Sequence, residues 1–538
     1  MKHQDLWVYG SCLALVFLSG CSDSNDNDND DSGTGSDGPG ITLNPNPHLT
    51  GNVEAGRDVF RFETFGNEGY WTDAVRLPQG IVAAGVTPID ALELGLIVDI
   101  EALPVATQAL IALELLTDLS PANAPLLNSV DTTVALVNAN AVVGFAAKDS
   151  NGDGTIDVAN GDRVGATCAL CHTISDASIF QLPNGGSIGR RLDGRANHAL
   201  DFGRILSVAQ NSRALYPMLQ LALDANGGAS LGRAPTGLTE NSTEAEVDAY
   251  LANPAFYPVG MFDDSLDGNG DPMHNTPLFR TDLAAPWGSE GSISRLDNFS
   301  NLVYTALFDP TTITTPNGRA FIVKLGGEVA GNEIVDDFIA VLAATGVMNY
   351  PYVVTEPHPA PGSEDAPLGV RVDEDKLLDL NGYLNSLQAP RGIETDAPAI
   401  ARGLDLFRQN CTSCHNSNQT TFVPPFIVNM ETIWPGDDPK ALLERDFPLN
   451  PILDSPGFFD DKMAVVNASI RGLERGTALP LLLDLERKPV FLHDNSVGSL
   501  ADLLDPARGV GAPHPFYLST GDQRQDMVKF LESLDTTN

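Results

Sequence analysis

The chain has 538 residues, 42% apolar and 19% charged, an ordinary globular composition that excludes wholesale disorder and a polytopic membrane protein. Asp and Glu number 71 against 31 Lys and Arg, a formal charge of −40. Such a surface repels phosphate backbones, so nucleic acid is excluded as a partner class and a partner with a basic face is favoured.

Lys2 opens a short positive region, and Leu6 to Leu18 is mostly apolar but too short to span a bilayer. It runs into Leu18-Ser19-Gly20-Cys21, which resembles a bacterial lipobox with cleavage before Cys21 and acyl chains on its sulfur. Residues 1–20 then form a lipoprotein signal peptide; a plain secretory signal is the alternative. Ser22 to Gly40 is almost wholly Ser, Asp, Asn and Gly and has nothing to bury, so residues 21–50 read as a flexible acidic tether. This layout predicts an exported body held to a bacterial membrane by lipid alone, facing the periplasm or the cell exterior.

Ala55 to Phe60 reads as an opening helix. Apolar helical runs follow over Val105 to Leu119 and Thr132 to Phe145. Asp149-Ser-Asn151-Gly-Asp153-Gly154-Thr-Ile-Asp157 places oxygens at alternate positions and glycine sixth, the start of a calcium loop, although Asn160 stands where a bidentate Glu is needed. Asx-rich turns are the competing reading. Asp267-Gly-Asn269-Gly-Asp271 is a shorter echo. Asp373 to Leu387 carries Leu377, Leu378, Leu380, Leu384 and Leu387 at helical spacing, and Pro390 and Gly392 then mark a stop and linker. Pro398 to Asn410 predicts a helix, and Asp522 to Leu534 closes the chain with Met527, Phe530, Leu531 and Leu534 on one stripe. Gly403 would let these last two helices cross closely.

The cysteines carry the most chemistry. Cys12 leaves with the signal and Cys21 takes lipid, leaving Cys168-Ala-Leu-Cys171-His172 and Cys411-Thr-Ser-Cys414-His415. Cys-x-x-Cys-His is the c-type haem attachment signature. Two thiols on one turn form thioethers to the vinyl groups, and the next histidine supplies the proximal nitrogen to iron. A four-cysteine zinc site does not need histidine after both pairs. A redox dithiol normally opens a helix in a thioredoxin-like pattern that is not visible here. Two covalent haems are therefore expected, with His172 and His415 as proximal ligands and no structural disulfide. Distal candidates for the second iron are Met430, Met463, His493 and His514; for the first they are His198, Met218, Met261, Met273 and His274. Trp287 reads as a core aromatic or as a residue packed near the haems.

Two such motifs far apart on one exported chain resemble the diheme cytochrome c peroxidase/MauG superfamily, the latex-cleaving diheme oxygenases being a more distant branch. Ser469-Ile-Arg-Gly-Leu473 resembles its S-L-R-G-L strip, and Val490 to Leu500, with His493-Asp494-Asn495-Ser496, resembles its histidine-containing turn segment. Asn495 replaces the usual glycine. Phe60 to Gly66, Tyr70-Trp71 and Gly189-Arg-Arg-Leu-Asp-Gly194 resemble a lipoprotein subgroup of diheme c-type cytochromes. The resemblance implies a mainly α fold with two cytochrome c-like haem domains and few short strands: an elaborated one over residues 51–390 and a second over 391–538. It also implies a peroxidase-like oxidoreductase in which the C-terminal haem takes electrons from a small redox donor protein. Those electrons pass to the N-terminal haem, which reduces peroxide or oxidises a substrate. The alternative is a lipid-anchored electron carrier with two six-coordinate haems and no catalysis. A sensor or accessory subunit is a third possibility.

Overall fold

A computed structural model describes residues 48–183, 185–230, 232–288, 291, 293–423, 427–433, 476–492 and 495–537. These residues are mainly helical, with strands of two to four residues. The expected signal peptide, Cys21, most of the expected tether, Met463, the Ser469 to Leu473 strip and His493 lie outside the described residues, as does the side chain of Met430.

Helix α1 (Val53–Phe62) starts where Asn52 caps it, its side-chain oxygen accepting from the amides of Glu54 and Ala55 at 2.9 and 3.0 Å. Helix α2 (Val105–Glu114) is shorter than its apolar run. Only Ile111 of its residues is buried, and Leu113 is exposed. Helix α3 (Val130–Asn138) also stops early, because Asn140 turns left-handed at φ 52° and its side-chain oxygen takes the Ala147 amide at 2.7 Å. The last residue of that run opens strand β1 (Phe145–Lys148), antiparallel to β2 (Arg163–Ala166) with Phe145 opposite Ala166. This hairpin brings the chain back to the end of α1. Asn67 exchanges two hydrogen bonds with the Ala166 backbone at 2.9 and 3.0 Å, and the Thr167 hydroxyl donates to the Arg61 carbonyl. The long excursion after α1 is thereby looped out, and the next turn, α4 (Ala169–His172), sits against the helix from which the excursion began.

Strands β3 (Thr173–Ser175) and β4 (Arg191–Asp193) pair behind that turn, and β5 (Met261–Phe262) pairs with β6 (Met273–His274). Helices α5 (Pro316–Gly326) and α6 (Glu328–Ala344) pack on the largest apolar cluster, which includes Trp71, Leu127, Ile188 and Phe338. Helix α7 (Glu374–Ser386) crosses α1, and α8 (Ala397–Asn410) crosses α9 (Gly521–Glu532). Both crossings run through a glycine. A Cβ on Gly56 would lie 1.8 Å from the Asp379 carbonyl oxygen, and one on Gly403 would lie 2.1 Å from that of Asp526. Four residues after each glycine a phenylalanine packs on the facing helix, Phe60 on Tyr383 at 5.6 Å and Phe407 on Phe530 at 5.1 Å between ring centres. The chain thus builds one helix-pair device twice.

The described residues belong to a single compact unit. Within it a second apolar cluster joins Phe60, Phe65, Trp287, Tyr304 and Leu377, with Cys168 and Phe422 against it. A third joins Phe407, Phe491, Leu500 and Phe530, with Cys411 against it. Each helix crossing therefore carries one Cys-x-x-Cys-His motif at its apolar edge.

Candidate functional site

The first motif is held from both sides. Cys168 precedes α4, its Sγ 3.4 Å from the Tyr304 hydroxyl. His172 closes α4, and its Nδ1 donates to the Thr276 carbonyl at 2.7 Å. That bond fixes the tautomer and leaves the Nε2 lone pair for a metal. The His172 carbonyl is taken by the Gly194 amide at 2.8 Å, and the Cys171 carbonyl by the Asn197 amide at 2.9 Å. Burial holds His172 below the ordinary imidazole range, against the pull of the Thr276 bond, so the ring is neutral at pH 7 as a ligand must be.

The Gly189 to Gly194 string supplies this frame. Arg191 Nε donates to Asp99 at 2.6 Å. Asp193 accepts from Arg61 Nε and from the Tyr383 hydroxyl, both at 2.6 Å, and from the Thr173 hydroxyl at 3.0 Å. One buried carboxylate therefore ties α1, α7 and the strand after His172. Gly194 sits at φ 84°, where a Cβ would lie 2.8 Å from the Leu278 carbonyl oxygen.

The second motif follows α8 directly. The Cys414 and His415 amides both donate to the Cys411 carbonyl, at 3.1 and 2.9 Å, which folds the motif into one turn. His514 faces it: the two imidazole centres are 6.4 Å apart with planes at 50°. Two metal–nitrogen bonds of about 2 Å and about 1.1 Å from each nitrogen to its ring centre come to about 6.2 Å, so the separation would suit one ion held by both rings. His514 stands in a left-handed turn at φ 55°, its amide donating to the Ile433 carbonyl at 2.6 Å. Buried Arg508 donates to the preceding Pro513 carbonyl at 2.8 Å. A non-glycine residue held there costs about 1–2 kcal/mol, a strain typical of functional positions. Burial pulls His514 down to about 4, the His415 and Arg508 charges adding to it, and His415 is lowered by burial alone.

Burial pushes the Cys168 and Cys411 thiols up to about 11 and Cys171 to about 12. Thiols raised this far are poor thiolate donors and poor redox nucleophiles. The four cysteines form no disulfide, and among the described residues no group of His, Cys, Asp and Glu is gathered to hold a bare metal ion. Among the described residues, then, the two cysteine pairs are not gathered into one four-cysteine cluster. Two thiols and a tautomer-fixed or metal-spaced histidine on one turn meet the requirements of covalent haem at both motifs. Cys168, Cys171 and His172 would hold one group, and Cys411, Cys414 and His415 the other.

The remaining predicted residues fall apart by location. Met218 is packed in the largest cluster, and buried Met261 stands opposite His274 across the β5–β6 pair. His198 lies beside Asn197, with a buried Nδ1 that has no hydrogen-bond partner. Among the described residues no second imidazole faces His172 as His514 faces His415. Trp287 is buried in the Cys168 cluster. Beside it is His48, which sequence reasoning missed: it meets Trp287 and Phe422 edge-on at 5.7 and 5.3 Å, and both its ring nitrogens are buried without partners. No motif surrounds His48, and nothing in the sequence could have singled it out.

In the expected calcium loop the oxygens serve their own backbone. Asp149 accepts from the Gly152 and Gly154 amides, Asn151 from Asp153, Asp153 from Thr155 and Asp157 from Ala159. The echo is more closely gathered: the Ser265 hydroxyl lies 3.2, 2.8 and 3.1 Å from carboxylate oxygens of Asp263, Asp267 and Asp271.

No protein-family profile and no curated protein matches the chain. Among solved structures it is similar to hydrazine synthase from Kuenenia stuttgartiensis, at 14% identity and a TM-score of 0.26 over 51% of this chain and 76% of that one. A likeness at that score assigns neither fold nor activity.

Proposed function

We propose that the chain is an exported diheme c-type cytochrome acting as a peroxidase-like oxidoreductase. The observation that carries this reading is the unequal setting of two equal motifs. His415 faces His514 at the spacing of a shared ion, whereas His172 is fixed by Thr276 with no imidazole opposite it among the described residues. Bound haems supply reversible one-electron chemistry at iron, and an iron with two protein ligands transfers electrons while one with a vacant position binds substrate. The chain's own residues divide the work accordingly. His415 and His514 close the second site for electron entry. The Thr276 carbonyl orients His172, and buried Asp193 locks the first site to α1 and α7. Reduction of peroxide to two waters takes two electrons and two protons, so a small donor protein with a basic face is the partner that the −40 charge favours. Cys21 carries the lipid and residues 21–50 give the body reach from the membrane.

The electron-carrier reading shares the closed His415–His514 site and differs only at the first iron. Absorption and electron paramagnetic resonance of the ferric protein separate the two. One low-spin and one high-spin centre, with turnover of hydrogen peroxide, is the expected result; two low-spin centres and no turnover would establish the carrier.

A further inference from the structure

One half-buried cation on this very acidic chain faces no acid among the described residues. Lys488 lies in the C-terminal segment just before Phe491 of the third cluster, yet its Nζ reaches across to His274 Nε2 at 3.0 Å. Its other contact is the Phe491 ring, with the ammonium 6.0 Å from the ring centre. Among the described residues it makes no ion pair, although the chain holds 71 carboxylates against 31 Lys and Arg. Its neighbour Arg487, by contrast, pairs with Asp484 and Glu486. Burial alone pulls Lys488 down to about 8. The same ammonium, added to burial, depresses His198, whose buried Nδ1 has no hydrogen-bond partner.

The three basic groups lie beside the first haem motif. His198 follows Asn197, whose amide holds the Cys171 carbonyl, and His274 stands two residues before Thr276, whose carbonyl holds His172. A partly desolvated ammonium that meets an imidazole and an aromatic ring, with no ion pair of its own among the described residues, is stabilised when an anion completes the group. Lys and His together offer several N–H donors and no acceptor charge, the complement of a carboxylate.

We propose that Lys488, His274 and His198 form a half-buried carboxylate-receiving site that joins the C-terminal segment to the first Cys-x-x-Cys-His motif. The inference rests on the haem reading, which provides one source of the carboxylate, a propionate of the haem on Cys168 and Cys171. A small free organic acid is the other source.

The test uses the haem-loaded protein, its loading checked first by pyridine haemochrome and mass. Absence of haem would overturn the haem reading, not the pocket chemistry. Lys488→Gln and Lys488→Arg are then compared with the parent by spectroelectrochemical titration in carboxylate-free buffer and with acetate added stepwise. Removing a cation favours the more positive ferric state, so a propionate occupant makes the midpoint potential of the first haem fall in K488Q and largely recover in K488R, with acetate inert. A free-acid occupant makes the parent spectrum respond saturably to acetate and K488Q lose that response. Lys488→Met, which removes the charge and keeps an apolar stem of similar length, gives the same directions if K488Q does not accumulate. Unchanged potentials in folded, loaded K488Q with no acetate response in the parent would overturn the proposal, as would a shift confined to the haem on Cys411 and Cys414.

Discussion

Replacing Gly403 by Ala tests the crossing that frames the second site. The new Cβ would sit 2.1 Å from the Asp526 carbonyl oxygen and 2.7 Å from Phe530 Cβ. A carbon–oxygen contact settles at about 3.3 Å, so the helices must part by about 1 Å. The obstacle is backbone on both sides, with no flexible side chain to turn away, which places the cost near the top of the roughly 1–3 kcal/mol range for overpacking. Alanine returns about 1 kcal/mol of helix propensity. The net loss is about 2 kcal/mol, and the Phe407–Phe530 contact at 5.1 Å loosens with it. For a single unit of this size, with an unfolding entropy of about 1 kcal/mol/K, that lowers the unfolding midpoint by about 2 °C. Thermal unfolding of the haem-loaded variant by circular dichroism measures it. Gly521→Ala on the same helix pair is the control: a Cβ there meets nothing within 4 Å, so its midpoint does not fall and stays within about 1 °C of the parent. A Gly403→Ala midpoint equal to or above the parent's would refute the close-crossing argument.

Other consequences follow from the same contacts. His514→Leu removes the imidazole facing His415 and is expected to convert the C-terminal centre from low to high spin in the ferric resonance spectrum; an unchanged low-spin signal would show that another residue closes that site. Asp193→Ala strips the buried acceptor from Arg61, Tyr383 and Thr173 and is expected to cost about 3–5 kcal/mol in denaturant unfolding, with Asp193→Asn recovering part of it; a loss below about 1 kcal/mol would remove Asp193 as the lock. Burial pushes Asp337 up to about 6 even though Tyr216 donates to it at 2.9 Å. A carboxyl raised in the folded state keeps a proton that the unfolded chain has released, so this group's contribution falls as pH climbs from about 4 through about 6. Asp337→Asn lacks that fall, and its stability relative to the parent should rise across the window and level above it; parallel profiles would contradict the assignment.

What the sequence disclosed was local. The helices at Val53–Phe62, Glu374–Ser386, Ala397–Asn410 and Gly521–Glu532 were legible because each carries its own apolar period and stop signals within one segment. The role of Gly403 was legible because a helix rarely tolerates glycine mid-face without a close neighbour. The left-handed turn at Asn495, φ 59°, with Phe491 bridged to Val497, followed from asparagine standing where related turns have glycine. The apolar runs after residue 100 misled because apolar period reports a helix without its neighbours: α2 keeps most of its apolar residues unburied, and Asn140 cut the next run where its side chain found the Ala147 amide. Which of the four candidates faces His415 could not be read from the sequence, because His514 approaches from a hundred residues away, set by Arg508 on Pro513 and by the Ile433 carbonyl. No spacing encodes that.

The same distinction explains why two identical motifs can serve different ends. Thioether attachment needs only one turn of chain, so Cys-x-x-Cys-His fixes a haem and one axial nitrogen wherever it occurs. The other axial side is decided by whichever segment the fold delivers, and here delivery differs. The second motif follows its opening helix without interruption and receives a strained, doubly pinned histidine. The first is separated from its opening helix by an excursion of about a hundred residues, yet returns to that helix through Asn67 and Thr167. The polypeptide spent on the excursion builds the large core, not a ligand. On the function proposed above, a chain that only carried electrons would have no need of that core, because the shorter C-terminal frame would already close an iron site. Enlarging the fold around the motif whose histidine faces no second imidazole among the described residues is what the proposed substrate site would require.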